Sequence, residues 1–211
     1  MSSSPIDQAS LATFTLKFSS CITFWNHAES TARQIAQLLL GESPMSMAVT
    51  AELGNRTLGQ VIEVASHEMS GVGEHLRHFT SGYGKLLGYR NFYVHSLYAI
   101  RPDAEGKAEG ILYCLDGKGR VRYFNRTLSD DELESTVGSI HALIGYGAAI
   151  QQELGADGDG LASLVKVYGA SLEKPNWPPD VEKTPLYLQG QEPPPPKQHQ
   201  KRGTPPAKPQ P

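Results

Sequence analysis

The chain has almost no cysteine: Cys21 and Cys114 are the only two in 211 residues, each set in an apolar stretch and without a C-x-x-C spacing. A disulfide framework or a zinc site needs more thiols at paired spacings, so both read as reduced core thiols. Long apolar runs are missing as well. No segment approaches the ~18 apolar residues of a membrane span, and the opening residues Met1 to Gln8 lack the basic and apolar regions of a secretory leader. These absences predict a soluble, cytoplasmic protein with no membrane partner. Charge of one sign is also scarce. A net charge of -3 offers nucleic acid no global attraction, so any RNA contact must come from a local basic patch. Before Lys174 proline occurs only at Pro5, Pro44 and Pro102, which leaves the body of the chain free to form helices and a hydrophobic content of 39% to build one core.

What is present is a helical pattern. Trp25, Ala28, Ala32, Ile35 and Leu39 recur at spacings of three and four, predicting a first helix from about Thr23 to Leu40, closed by Gly41. Ser43 and Pro44 suit the cap and first position of a second helix that ends near Gly54 and Asn55. Thr57 and Gln60 have capping-box form, opening a third helix through Leu58, Ile62 and Ala65. After Gly71 and Gly73, a segment from Glu74 carries Leu76, Phe79, Tyr83, Leu86 and Leu87, with Ser81, Gly82 and Gly84 leaving open whether it is one helix or two. Gly88 to Ile100 continues the helical character and stops before Pro102. From Ile111 to Phe124 aromatic and β-branched residues flank a turn-rich tetrapeptide, Asp116 to Gly119, which predicts a β-hairpin. Ser129 and Glu132 form a second capping-box signature, opening a helix through Leu133, Val137, Ile140, Leu143 or Ile144 and Gly147 to about Leu154. A short helix from Leu161 to Leu172 follows, and then the prolines crowd in. The expected fold class is mainly α: a helical bundle with an inserted β-hairpin and a disordered C-terminal tail. Its divisions are an N-terminal segment at 1–22, a helical domain at 23–172 and a proline-rich tail of polyproline II character at 173–211.

Three polar groups interrupt the apolar run from Gly88 to Ile100: Arg90, Asn91 and His95. Removing arginine or histidine from water without partners costs several kcal/mol, so these residues either find partners that hold the fold or act on a substrate. They spell R-N-x-x-x-H. An arginine five places before a histidine arises by chance about 0.3 times in a chain of this composition, so the weight falls on the adjacent asparagine and the helical setting. On these residues the chain resembles the HEPN superfamily, whose many ribonuclease members carry an R-x(4–6)-H motif, often with asparagine directly after the arginine. Trp25 and Glu29 on an earlier helix are similar to the same bundle. The resemblance covers Thr23 to Leu154, with the hairpin an elaboration and the tail outside it. It implies a metal-independent endoribonuclease that needs no cofactor, in the role of a toxin or phage-defence effector, with an antitoxin or regulatory partner. Some HEPN proteins are non-catalytic, so the alternative reading is a module that binds a nucleotide, RNA or a protein.

The residue types suit the chemistry. A neutral imidazole has an ordinary pKa near ~6.5, so His95 could take the proton of a ribose 2′-hydroxyl at neutral pH. Arg90 would clamp the scissile phosphate with its planar fork of donors, and Asn91, one helical turn before His95, would orient imidazole or substrate. Spacing complicates this picture: at ~100° per residue, five residues turn Arg90 about 140° away from His95 on a regular helix. Either the helix starts irregularly near Gly88 or a second copy completes the site, and the HEPN resemblance implies the second, a homodimer with both motifs in one cleft. The structural alternative has Arg90 bonded to helix carbonyls or to a carboxylate such as Glu74, and His95 as a satisfied core histidine.

Other groups are weaker candidates. His75 and His78, with Glu74 and His67 nearby, supply ligand types but no third ligand at a diagnostic spacing, so no metal is expected. Arg120, Arg122 and Arg126 share one face of the hairpin's second strand and its exit, and are candidate RNA contacts through phosphate. The tail with Pro193 to Pro196, Lys197, Lys201, Arg202 and Lys208 reads as a flexible segment.

Overall fold

The first helix is longer than its apolar repeat announces. In the computed structural model, which describes residues 6–41, 43–116, 122–181 and 185–186, α1 spans Gln8–Leu40. It starts well before Thr23 because Asp7 supplies an N-cap, its carboxylate accepting the Ser10 amide at 2.9 Å, and because Phe14 and Cys21 have a second core to bury against. Gly41, at φ 79°, ends the helix and returns its amide to Leu38. Ser43 then caps α2 (Pro44–Glu52) in a reciprocal arrangement with Ser46. The third helix, α3 (Asn55–Ser66), departs from expectation at its start. Gly54 is the N-cap, with no side-chain cap, and Thr57 already lies inside the first turn, so the Thr57–Gln60 box does not form. Asn55 takes a tertiary partner instead, its Oδ1 accepting the Tyr83 hydroxyl at 3.1 Å.

The fourth helix, α4 (Val72–Ser96), runs unbroken through Gly82, Gly84 and Gly88. Glycine inside a helix costs about 1 kcal/mol relative to alanine, and burial of Leu76, Phe79, Tyr83, Leu86, Phe92 and Tyr93 outweighs it. The segment expected to stay helical to Ile100 turns into a strand after Ser96. Leu97 to Ile100 pair with the next strand, and that ladder overrides the helical pattern. The resulting antiparallel sheet has the order β1 (Leu97–Pro102), β2 (Ala108–Asp116), β3 (Arg122–Leu128), β4 (Pro185–Leu186). The hairpin is therefore longer than 111–124 and gains a strand on each side, with Gly110 facing Leu128 and Phe124 facing Pro185. Two further helices follow, α5 (Asp130–Glu153), capped by Ser129, and α6 (Asp159–Tyr168), which Gly169 stops short of Leu172.

Six helices and one sheet thus make a mainly helical protein among the described residues. One core joins α1, α3, α4 and α5 around Trp25, Ile35, Leu58, Phe79, Tyr83 and Ile144. Gly147 lets α5 approach there: a Cβ on it would sit 2.5 Å from Thr31 Cγ2 and 2.8 Å from Phe79. The second core lies between the helices and the sheet, with Phe14, Cys21, Tyr93, Leu112, Leu128 and Leu133. No helix among the described residues is long and apolar enough to cross a membrane.

The proline-rich segment does not leave the domain at residue 173. Residues 174–181 lie along α4: Lys174 pairs with Glu74, His78 Nε2 meets the Pro175 carbonyl at 2.8 Å, and Trp177 Nε1 donates to the His78 carbonyl at 2.9 Å. Proline removes helix and sheet donors, but it does not prevent an extended strap from docking through side chains and carbonyls. The rest of the expected tail, apart from Pro185 and Leu186, lies outside the described residues.

Candidate active site

The end of α4 that approaches the sheet carries the motif. Its buried side is occupied by Tyr89, Phe92 and Tyr93, and this fixes the rotation of the helix. Tyr93 adds a polar anchor, its hydroxyl donating to Glu132 Oε1 at 2.8 Å. With that face committed to the core, Asn91, Val94 and His95 are exposed and Arg90 is half-buried. His95 is therefore no core histidine, and it makes no hydrogen bond or ion pair with the described residues. Asn91 and His95 sit one turn apart on the same solvent face.

Arg90 leaves its own side of the helix. Its Nη1 donates to Asn91 Oδ1 at 2.9 Å, so the guanidinium is drawn toward the face that Asn91 and His95 share. Its Nε is buried without a partner among the described residues, and Arg90 lines a notch with Cys21, Ile22, Tyr93, Val94, Thr136 and Ile140. The helix is regular from Val72 to Ser96, so no irregular start near Gly88 brings Arg90 and His95 together. Glu74, the carboxylate considered as Arg90's partner, is paired with Lys174 instead.

Behind the motif lies a polar belt between α1, α3 and α4. Glu29 bonds Arg33 Nη2 at 2.7 Å. Burial acts to raise the Glu29 pKa, but hydrogen bonds from Arg33 and Asn55 and the positive charge of Arg90 outweigh it and hold the carboxyl below its ordinary value. Arg33 also donates to the Thr50 and Leu53 carbonyls, closing the C-terminal end of α2, so its role is structural.

Beside this belt runs an open groove of about 690 Å³ between α3 and α4, which the sequence did not announce. Its walls include Asn55, Arg56, Gln60, Arg77, Thr80 and Asn91. The signal was present but faint: Arg77, Ser81, Gly84, Gly88 and Asn91 repeat at spacings of three and four, a polar and small stripe opposite the apolar one.

The remaining candidates stand as follows. Arg120 lies outside the described residues, while β3 places Arg122 opposite Asp116 and Arg126 opposite Leu112. His75 Nδ1 meets the Tyr146 hydroxyl at 2.8 Å, and His78 is held by the strap. Among the described residues no three His, Cys, Asp or Glu groups are placed to hold a metal ion. The chain matches no family model, no curated protein and no solved structure.

Proposed function

We propose that the chain is a HEPN-type, metal-independent endoribonuclease whose reacting groups are Arg90, Asn91 and His95. The observation that carries this reading is the exposed end of α4, where an imidazole with no partner among the described residues stands one turn beyond Asn91, which takes the Arg90 guanidinium. His95 takes the proton from a ribose 2′-hydroxyl, and the freed oxygen attacks the adjacent phosphorus. The bond from phosphorus to the 5′-oxygen breaks, and that oxygen takes up a proton. The products are a 2′,3′-cyclic phosphate and a 5′-hydroxyl. Because the RNA supplies its own nucleophile, no metal-bound water is required. Arg90 stabilises the charge that builds on the phosphoryl oxygens. The 140° divergence on a regular helix is relieved in a homodimer, where Arg90 of one copy faces His95 of the other across a two-fold axis. In the cell the enzyme acts in the cytoplasm as a toxin or phage-defence effector, restrained by an antitoxin or regulatory partner.

The test compares wild type with His95→Ala and Arg90→Ala on RNA, with growth on expression and the chemistry of the cut ends followed. Each substitution should cost about 10²-fold or more in rate, and cutting should persist in EDTA and leave cyclic phosphates. An equal mixture of the two inactive variants should recover about a quarter of wild-type activity, since half the dimers are mixed and each mixed dimer has one intact composite site. No recovery would remove the shared cleft. Equal cutting by wild type and both variants would remove the assignment, and RNA binding without turnover would leave the non-catalytic module as the better reading.

A further inference from the structure

The groove between α3 and α4 does not stop at the helix surface; it points at the motif. Along α4 its lining passes through Arg77, Thr80, Ser81, Gly84, Gly88 and Asn91, and the next residue on that line is His95, one turn beyond Asn91. The glycines keep this line open: among the described residues a Cβ at Gly84 would meet nothing within 4 Å, and one at Gly88 would meet only Val181, at 3.8 Å. On the facing helix stand Asn55, Arg56 and Gln60. The charged lining groups are Arg56 and Arg77 against Glu63. Glu63 is drawn to the wall, accepting the Thr80 hydroxyl and lying 3.9 Å from His67 Nε2, which leaves the two guanidinium groups as the groove's charged donors.

We propose that this groove is the track for the single-stranded RNA that flanks the cut, an inference that rests on the ribonuclease reading above. Arg56 and Arg77 bind successive backbone phosphates, one from each wall. The amides of Asn55, Gln60 and Asn91 offer donors and acceptors to base edges, as exposed bases in a single strand require. A duplex is not the ligand, because its bases are already paired. From Arg77 to His95 the helix rises about 27 Å at ~1.5 Å per residue. A strand stacked at about 3.4 Å per nucleotide lays about eight nucleotides along that length. With a net charge of -3 the chain offers no global attraction, so an RNA backbone is held by local cations such as this pair.

The experiment uses the full wild-type chain and a labelled ten-nucleotide RNA with 2′-O-methyl sugars, which this chemistry cannot cut. Affinity is titrated at several salt concentrations. Arg56→Ala with Arg77→Ala should weaken binding about tenfold or more and reduce the slope of log K against log salt by about 1.4, two phosphates at ~0.7 each. Arg77 also donates to the Ser66 carbonyl at 3.3 Å, so a second variant avoids that contact. Gly84→Glu places a carboxylate in the open track on a helical position that favours it over glycine, and should weaken binding as much while thermal stability holds or rises. Arg101→Ala, on the sheet edge and paired with Glu109, should leave binding unchanged. Unaltered affinity and salt slope in both groove variants would overturn the proposal, as would equal competition by an RNA duplex. The two readings fail separately. RNA cutting that ignores the groove variants removes the track alone, and groove-dependent binding by a chain that never cuts RNA removes the nuclease alone.

Discussion

Trp177 and Gly82 make a sharp test of the fold, because the effect of one substitution should change sign with the other. The indole lies over Gly82 so closely that a Cβ there would come within 2.3 Å of the ring. It also stacks on His78 with ring centroids 5.2 Å apart and donates to the His78 carbonyl. Truncating a fully buried tryptophan to alanine costs about 3–5 kcal/mol. Trp177 is half-buried, so roughly half of that, with about 1 kcal/mol for the hydrogen bond, gives a loss of about 2.5–3.5 kcal/mol. For a domain of this size that lowers Tm by roughly 5–14 °C.

Gly82→Ala should also destabilise the wild-type chain, since the methyl group drives the indole off its seat. In the Trp177→Ala background the obstruction is gone, and alanine's better helix propensity should then stabilise by about 1 kcal/mol. Thermal and urea unfolding of the four proteins, read as a double-mutant cycle, measures the coupling directly. A loss below about 0.5 kcal/mol for Trp177→Ala, the range of an ordinary surface substitution, or strictly additive effects, would show that the strap does not dock. Removal of the chain from Lys174 onward should cost at least as much as Trp177→Ala, although proline content alone predicts no cost.

Two pH-linked predictions concern the groups behind the motif. The Glu29 carboxyl is held below its ordinary pKa, so its contribution to stability is complete above the unfolded-state value of about 4.3 and is lost as pH falls through the folded one; Glu29→Gln should flatten that part of the acid unfolding profile, and an unchanged profile would refute the belt. Burial pushes the Cys21 thiol up to about 12, so at pH 8 it carries about a thousandfold less thiolate than an exposed cysteine, and in a Cys114→Ser background native protein should resist iodoacetamide that modifies the unfolded chain readily.

The helices were legible because their signals are local. Apolar spacing from Trp25 to Leu39, the Ser43–Pro44 start and the Ser129 cap each need only neighbours within a turn or two, and each has its place in the fold. Tertiary partners decided the rest. Leu97 to Ile100 suit a helix or a strand, and only the presence of β2 settles the choice. Thr57 and Gln60 satisfy the rule for a capping box, yet the Tyr83 hydroxyl draws Asn55 into the belt and starts the helix at Asn55. The strap was hidden for the same reason, since nothing near Trp177 in sequence reveals a glycine seat at Gly82.

The polar residues of the motif admit a similar account. An α-helix that packs on two cores along its length commits one face to them, and α4 commits Leu76, Phe79, Tyr83, Leu86, Tyr89, Phe92 and Tyr93. A second side takes the strap, through His78 and Gly82. Arg77, Gly84, Asn91 and His95 occupy what remains, where a polar side chain does not have to be desolvated to sit on the helix. Their polarity therefore costs the fold little, and the fold in turn does not require it. Asn91 or His95 could become alanine, and Gly84 a larger residue, without disturbing either core. A structural role for these residues would make such changes destabilising, whereas a role in binding or chemistry leaves stability intact and removes function. The separation of those two readouts on this one face is what distinguishes the site from the scaffold.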